Sequence, residues 1–184
     1  MDGQDEEAVV ICRVWEPEVD GDLEAQLQSL LRRCFSGYPV RSYFKVPPHF
    51  RYVATSRGSV VAQMGVELRM FRVGDEVVRV FGVVDLCVDE GRRSQGLASR
   101  LLRGLIQVAD GKRVDFVVLF AHDDRLYVRN GWVHVANRCT WVKIDSHRTL
   151  GLATNESLAD VMMVKAVGSR QWPDGDIDLL GHVF

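Results

Sequence analysis

A change of period within residues 77–109 constrains the fold most. Val77 to Val88 is rich in β-branched and apolar residues and reads as a strand. Leu97 to Ala109 spaces its apolar residues as an amphipathic helix does. Between them lies the short polar stretch Asp89-Glu-Gly-Arg-Arg-Ser-Gln-Gly96. The reading places the first turn of the helix at Arg93 to Ala98. A helix that opens there presents N–H groups without acceptors and the positive end of its macrodipole. Such an end binds anions, phosphates above all. Gly96 has no Cβ to hold a diphosphate away from the backbone, and Ala98 is small for the same reason. Arg92 and Arg93 add positive charge at the mouth.

Arg93-Ser-Gln-Gly96-Leu-Ala98 fits a known signature, (Gln/Arg)-x-x-Gly-x-(Gly/Ala). By that stretch the chain resembles the GCN5-related N-acetyltransferases (GNAT), whose loop of this pattern holds the pyrophosphate of acetyl-coenzyme A. The resemblance implies a coenzyme site over Leu86, Cys87, Val88, Arg93, Ser94, Gln95, Gly96, Leu97 and Ala98. A second stretch, Arg125-Leu-Tyr-Val-Arg-Asn-Gly-Trp132, is similar to the family's closing motif, a tyrosine four residues before Gly-Phe or Gly-Trp. The matching residue is Tyr127, which the resemblance places near the coenzyme sulfur as a general acid. A phenol, with an ordinary pKa near 10, can share a proton with a departing thiolate.

The rest of the chain is consistent with this family's α/β fold. A length of 184 residues suggests one domain with a sizeable core. A formal charge of −2 gives no basic field for nucleic acid. An acidic start without a basic n-region, and no long apolar run, argue for a cytoplasmic protein with no membrane span. Cys12, Cys34, Cys87 and Cys139 are scattered and read as reduced, mostly buried thiols, with no metal site expected. Residues 1–7 read as a frayed tail. Val9 to Trp15 reads as a strand, and Leu23 to Cys34 as a helix capped by Asp22. Ser36 to Phe50 is irregular and aromatic-rich, with Pro47-Pro48 excluding helix, and reads either as a cleft wall or as a packed connector.

Three strands are expected next: Arg51 to Ser56, Ser59 to Phe71 and Glu76 to Val88, joined by turns at Arg57-Gly58 and Val73 to Asp75. Val114 to Phe120 is almost continuously apolar, as a strand buried on both faces is. A short helix at Asp123 to Asn130 ends on Gly131. Strands follow at Trp132 to Val135, Arg138 to Ile144 and Val161 to Val167, with residues 145–157 as a polar loop. The resulting fold class is a mixed, mostly antiparallel sheet flanked by helices. The resemblance adds that the central strands, ending near Val88 and Phe120, splay apart so that the pantetheine arm pairs with the freed backbone.

An alkylammonium must lose a proton before it attacks a thioester. Asp85 and Glu67 are the strand carboxylates considered for that base, beside a water chain. Side chains alternate along a strand, so only a bulge would turn Asp85 toward the cleft. Cys87 reads as a small buried hydrophobe rather than a nucleophile. The end of the chain, residues 162–184, resembles the nodulation N-acyltransferases and, more distantly, the aminoglycoside 2′-N-acetyltransferases. Its apolar residues, Trp172 and Phe184 among them, suit a docked tail over 168–184 that reaches the acceptor. The resemblance implies acetyl transfer from acetyl-CoA to a primary amine of a small molecule, with Glu67, Trp172 and Phe184 near the acceptor. A longer-chain N-acyltransferase and a non-catalytic acyl-CoA sensor are the alternatives. A homodimer is an expectation carried by the family alone.

Overall fold

The computed structural model describes residues 8–184, so the expected frayed tail at 1–7 lies outside the described residues. Two compact units are present. The first comprises Met1–Gly65, described from residue 8 onward, and Asp85–Leu101; the second comprises Val66–Val84 and Leu102–Phe184.

In the first unit, β1 (Val10–Trp15) pairs antiparallel with β2 (Phe50–Ser56), and β2 lies beside β3 (Ser59–Val73). Arg57 and Gly58 both have positive φ, 49° and 75°, which gives the tight turn its twist match to the strands. Helix α1 (Gly21–Cys34) is capped by Asp20, whose Oδ1 accepts from Leu23 N at 2.8 Å. The cap therefore lies two residues before the expected Asp22, and the helix takes in Gly21. Leu27, Leu30 and Leu31 on the buried face of α1 pack with Tyr38, Val53, Val60 and Cys87. Spacing of three and four residues puts those leucines on one stripe.

Strands β3 and β4 each contribute residues to both units, and the main path of the sheet has the strand order β6-β9-β5-β4-β3-β10-β7-β8. Its members are β4 (Glu76–Val88), β5 (Phe116–Phe120), β6 (Val133–His134), β7 (Arg138–Asp145), β8 (Arg148–Ser157), β9 (Met162–Ala166) and β10 (Ile177–Asp178). Strands β4 and β5 are parallel, and β5 pairs antiparallel with β9. Phe116, Val117, Val118 and Leu119 are all buried, as an apolar strand between two neighbours requires. The core gathers Phe71, Val80, Phe116, Val118, Met162, Val164 and Leu179. Helices α2 (Leu97–Ala109) and α3 (Arg125–Arg129) follow β4 and β5. The fold is a mixed sheet with few helices, as the sequence reading expects.

Several expectations need correction. Residues 145–157 do not form a loop; they turn at Ser146 and His147 and return as β8, antiparallel to β7. Only Ala153 of β8 is buried, so its polar composition is that of an exposed strand, and pairing with β7 rather than burial of a face makes it regular. The strand expected at Trp132 to Val135 is reduced to Val133–His134. Helix α2 starts at Leu97, not Arg93, because a single 3-10 turn at Glu90–Arg92 occupies the start of the connection. Of the four thiols, Cys87 and Cys139 are buried, Cys34 is half-buried and Cys12 is exposed. No helix among the described residues is long and apolar enough to cross a membrane.

Candidate active site

The connection from β4 to α2 is assembled within the first unit by short-range bonds. Asp89 accepts from Gly91 N through Oδ1 at 3.2 Å and from Arg33 through Oδ2 at 2.8 Å, which ties the turn to α1. Arg33 and the turn hold the Asp89 carboxyl below the usual carboxylate range. The Val88 carbonyl takes two donors, Arg93 Nε at 3.3 Å and Cys34 Sγ at 3.5 Å. Of the expected pantetheine contacts, that carbonyl is already engaged by protein. Ser94 and Gly96 then take positive φ, 63° and 73°.

A Cβ at Gly96 would meet nothing within 4 Å, so the space in front of this residue is open. The first N–H that bonds back inside the helix is that of Arg100, to the Gly96 carbonyl at 3.0 Å. The amides of Leu97 and Ala98 therefore precede the helical ladder. Arg93, Ser94, Gln95 and Gly96 are exposed, and Ala98 is half-buried. Open space, a helix start and nearby guanidinium groups fit a diphosphate.

Asp85 breaks the regular strand. Its φ is 51°, in the left-handed region, inside β4. This is the irregularity that would free its side chain from the simple alternation. The backbone there is pinned by Gln63, whose Nε2 donates to the Asp85 carbonyl. Gln63 in turn accepts from buried Arg51 at 3.3 Å, and Arg51 is paired with Glu16 at 2.7 Å. A buried guanidinium needs such partners. The Asp85 carboxylate accepts from the Tyr38 hydroxyl at 2.6 Å. Burial first, and then the Asp85 carboxylate, push the Tyr38 phenol well above its ordinary range, so it remains a donor.

Tyr38 is a residue that sequence reasoning did not single out. Its signal was the aromatic stretch Ser36 to Phe50, and Tyr38 there contacts Phe35 and Phe44, both at 5.8 Å between ring centroids. Cys87 is buried in the core of this unit, as a small hydrophobe would be, and its thiol is pushed up by its neighbour Cys34 and by burial.

In the second unit, Tyr127 lies on α3 and meets Trp132 edge-on at 6.2 Å. Gly131, with φ 80°, ends the helix, and the Trp132 N–H bonds the Tyr127 carbonyl at 3.0 Å. Burial, with a contribution from the Asp123 charge, pushes the Tyr127 phenol up to about 12. It is therefore a protonated phenol throughout the neutral range.

Glu67 on β3 is buried and paired with Arg69 at 2.9 Å. His182 Nε2 stands 3.5 Å from its other oxygen. Burial pushes the Glu67 carboxyl up, but His182 and Arg69 outweigh it and hold the carboxyl below the usual carboxylate range. Arg69 also donates to the carbonyls of Leu179 and His182, at 3.1 and 3.4 Å. Phe184 stacks on Phe71 at 6.0 Å and meets Phe120 edge-on at 5.2 Å. Glu67 and Phe184 thus belong to one cluster through Arg69, whose guanidinium lies 5.8 Å from the Phe184 ring. Trp172 is held by other partners: Phe116 at 4.9 Å, and Asn137, to which its Nε1 donates at 3.0 Å.

The sequence matches the profile of the GNAT acetyltransferase domain over residues 21–135, well over half of the chain. The chain belongs to the GNAT acetyltransferase family and is an N-acetyltransferase of that class. Its structure is similar to the GNAT family N-acetyltransferase YhbS from Escherichia coli, solved in complex with CoA, with a TM-score of 0.64 and 18% identity, covering 97% of this chain and 93% of that one. It is also similar to an acyl-CoA N-acyltransferase from Pseudomonas aeruginosa, with a TM-score of 0.59 and 15% identity over 86% of this chain and 100% of that one. A third likeness is to Eis1 from Mycobacterium abscessus, with a TM-score of 0.59 and 15% identity over 72% of this chain but 33% of that one. No curated protein matches the sequence.

Proposed function

We propose that this chain transfers the acetyl group of acetyl-CoA to a primary amine of a small molecule, of the amino sugar or aminoglycoside class. The observation that carries the reading is the open, positively charged loop at Arg93–Ala98, where Gly96 has no neighbour in front of it and α2 begins. In this reading that loop takes the diphosphate, and the backbone of Leu86 and Cys87, with the N–H of Val88 since its carbonyl is engaged by Arg93 and Cys34, pairs with the pantetheine amides. A CoA complex among the structural neighbours supports the assignment of the donor.

Asp85 takes the proton that an alkylammonium loses before attack. Its carboxylate is aimed by the Tyr38 hydroxyl, and its carbonyl is fixed by Gln63. Tyr127, a protonated phenol across the neutral range, gives its proton to the sulfur as the thiolate leaves. The C–N bond forms and the C–S bond breaks; the nitrogen sheds its second proton, which restores the Tyr127 phenol, so one ammonium and one acetyl-CoA become amide, CoA and the single proton held on Asp85. General acid assistance of this kind is worth roughly 10²–10⁴-fold.

The test is a thiol-release assay over a panel of amino sugars and aminoglycosides, with Tyr127→Phe beside the wild type. The variant is expected to lose about 10²-fold or more in kcat while its acetyl-CoA Kd stays unchanged. Equal kcat in the two proteins would remove Tyr127 from the chemistry.

A further inference from the structure

Among the described residues, the parallel ladder between β4 and β5 pairs Val80 with Phe116, Phe81 with Val117 and Gly82 with Val118. Past Gly82 and Val118 the two strands run on, β5 to Phe120 and β4 toward Val88. Backbone groups that leave a ladder need new partners. In the reading proposed above, the donor's thioester is received where these strands part. What stands beside that point therefore decides how much acyl chain can follow the carbonyl.

The Phe184 ring stands against Gly82, the last residue of that ladder. A Cβ built on Gly82 would lie 2.5–2.7 Å from three carbons of the Phe184 ring. Glycine at position 82 is thus what admits the ring against β4. Phe71 lies 6.0 Å from the ring on one side, and Phe120, the last residue of β5, lies 5.2 Å away. Arg69 lies 5.8 Å from the same ring and bonds the carbonyls of Leu179 and His182, which fixes the backbone leading to it. At Gly181 even a Cβ would lie 2.1 Å from the Arg69 guanidinium, so this approach is close along its length. A chain of packed groups, from Glu67 through Arg69 to the ring, leaves Phe184 little freedom to swing aside.

We infer that Phe184 closes the fork between β4 and β5 and restricts the donor to short acyl chains, acetyl first among them. The ring fills space comparable to that of the added methylenes of a hexanoyl group. A longer donor must displace it and break the contacts with Phe71, Phe120 and Arg69. The inference rests on the acyl-CoA reading and, within it, favours acetyl over longer chains.

Calorimetry on the full chain tests it without an acceptor amine. The probes are CoA, acetyl-CoA and hexanoyl-CoA, and the proteins are wild type, Phe184→Ala and the milder Phe184→Leu. Wild type is expected to bind acetyl-CoA about tenfold more tightly than hexanoyl-CoA, the scale of an overpacking penalty. Phe184→Ala should abolish that gap, Phe184→Leu should narrow it, and CoA itself should bind all three proteins alike. An unchanged gap in both variants, with CoA still bound, would overturn the inference alone, as would a wild type that does not distinguish the two donors. Failure of wild type to bind CoA at all would overturn the acyl-CoA reading and the inference with it.

Discussion

The loop at Arg93–Ala98 and the segment at Ile177–Phe184 are both short, and both bear on the proposed chemistry, yet they are held in different ways. The loop is shaped mostly by its neighbours in sequence: Asp89 caps Gly91, Arg93 reaches back to Val88, and Ser94 and Gly96 set the backbone by their φ values. The C-terminal segment has a polar turn of its own, Leu180 N to Asp178 at 2.9 Å. Its position, however, is fixed by residues far away in the chain. Arg69 bonds Leu179 and His182 across sequence separations of 110 and 113 residues. The strand β10 is inserted between β3 and β7. Local construction leaves a recognisable string of residues; long-range construction leaves only apolar composition.

That contrast can be broken or sharpened by substitution. The largest effect is expected from Gly82→Val, which puts a side chain where the Phe184 ring lies. Overpacking of this kind costs about 1–3 kcal/mol, read as a fall in the urea unfolding midpoint. Phe184→Ala should relieve most of the penalty, so the double variant should be markedly non-additive. Additive losses would mean that the two residues do not share one space.

A smaller effect is expected from acid. The Glu67 carboxyl is held below its ordinary value of 4.5 in the folded protein. Its contribution to stability is therefore fully present above about that pH and is lost as the pH falls through the folded value. Thermal melting of wild type and Glu67→Gln between neutral and acid pH reads this directly. The wild type should lose more Tm on acidification than the variant does. Equal losses would show that the cluster of Glu67, Arg69 and His182 does not hold the segment by charge.

Much of the first unit was legible in the sequence because its signals are local. The turn at Arg57-Gly58 and the leucine stripe of α1 stand where the residue pattern puts them, and the order strand, loop, helix around Gly96 holds, with the helix starting at Leu97 rather than Arg93. The bulge was named as the condition for Asp85 to act, and the left-handed φ at Asp85 supplies that irregularity. What holds Asp85 in that conformation was not legible. Gln63, Arg51 and Tyr38 come from three separate stretches, and no spacing connects them. Residues 145–157 were misread because a polar strand paired along its backbone carries little apolar alternation to mark it. The cap of α1 was misplaced by two residues because Asp20 and Asp22 are equally suitable in type, and only the backbone decides between them.

The loop at Gly96 is proposed to receive an acyl-CoA diphosphate. Titration of the pure chain with acetyl-CoA by calorimetry, wild type against Gly96→Trp, tests it most directly. Nothing of the protein lies within 4 Å of a Cβ at this position, so the variant should fold, with backbone strain of about 1–2 kcal/mol at the positive φ, and circular dichroism verifies that. Wild type is expected to bind in the micromolar range and the variant not at all. A variant that binds as wild type does, or a wild type that does not bind, would contradict it.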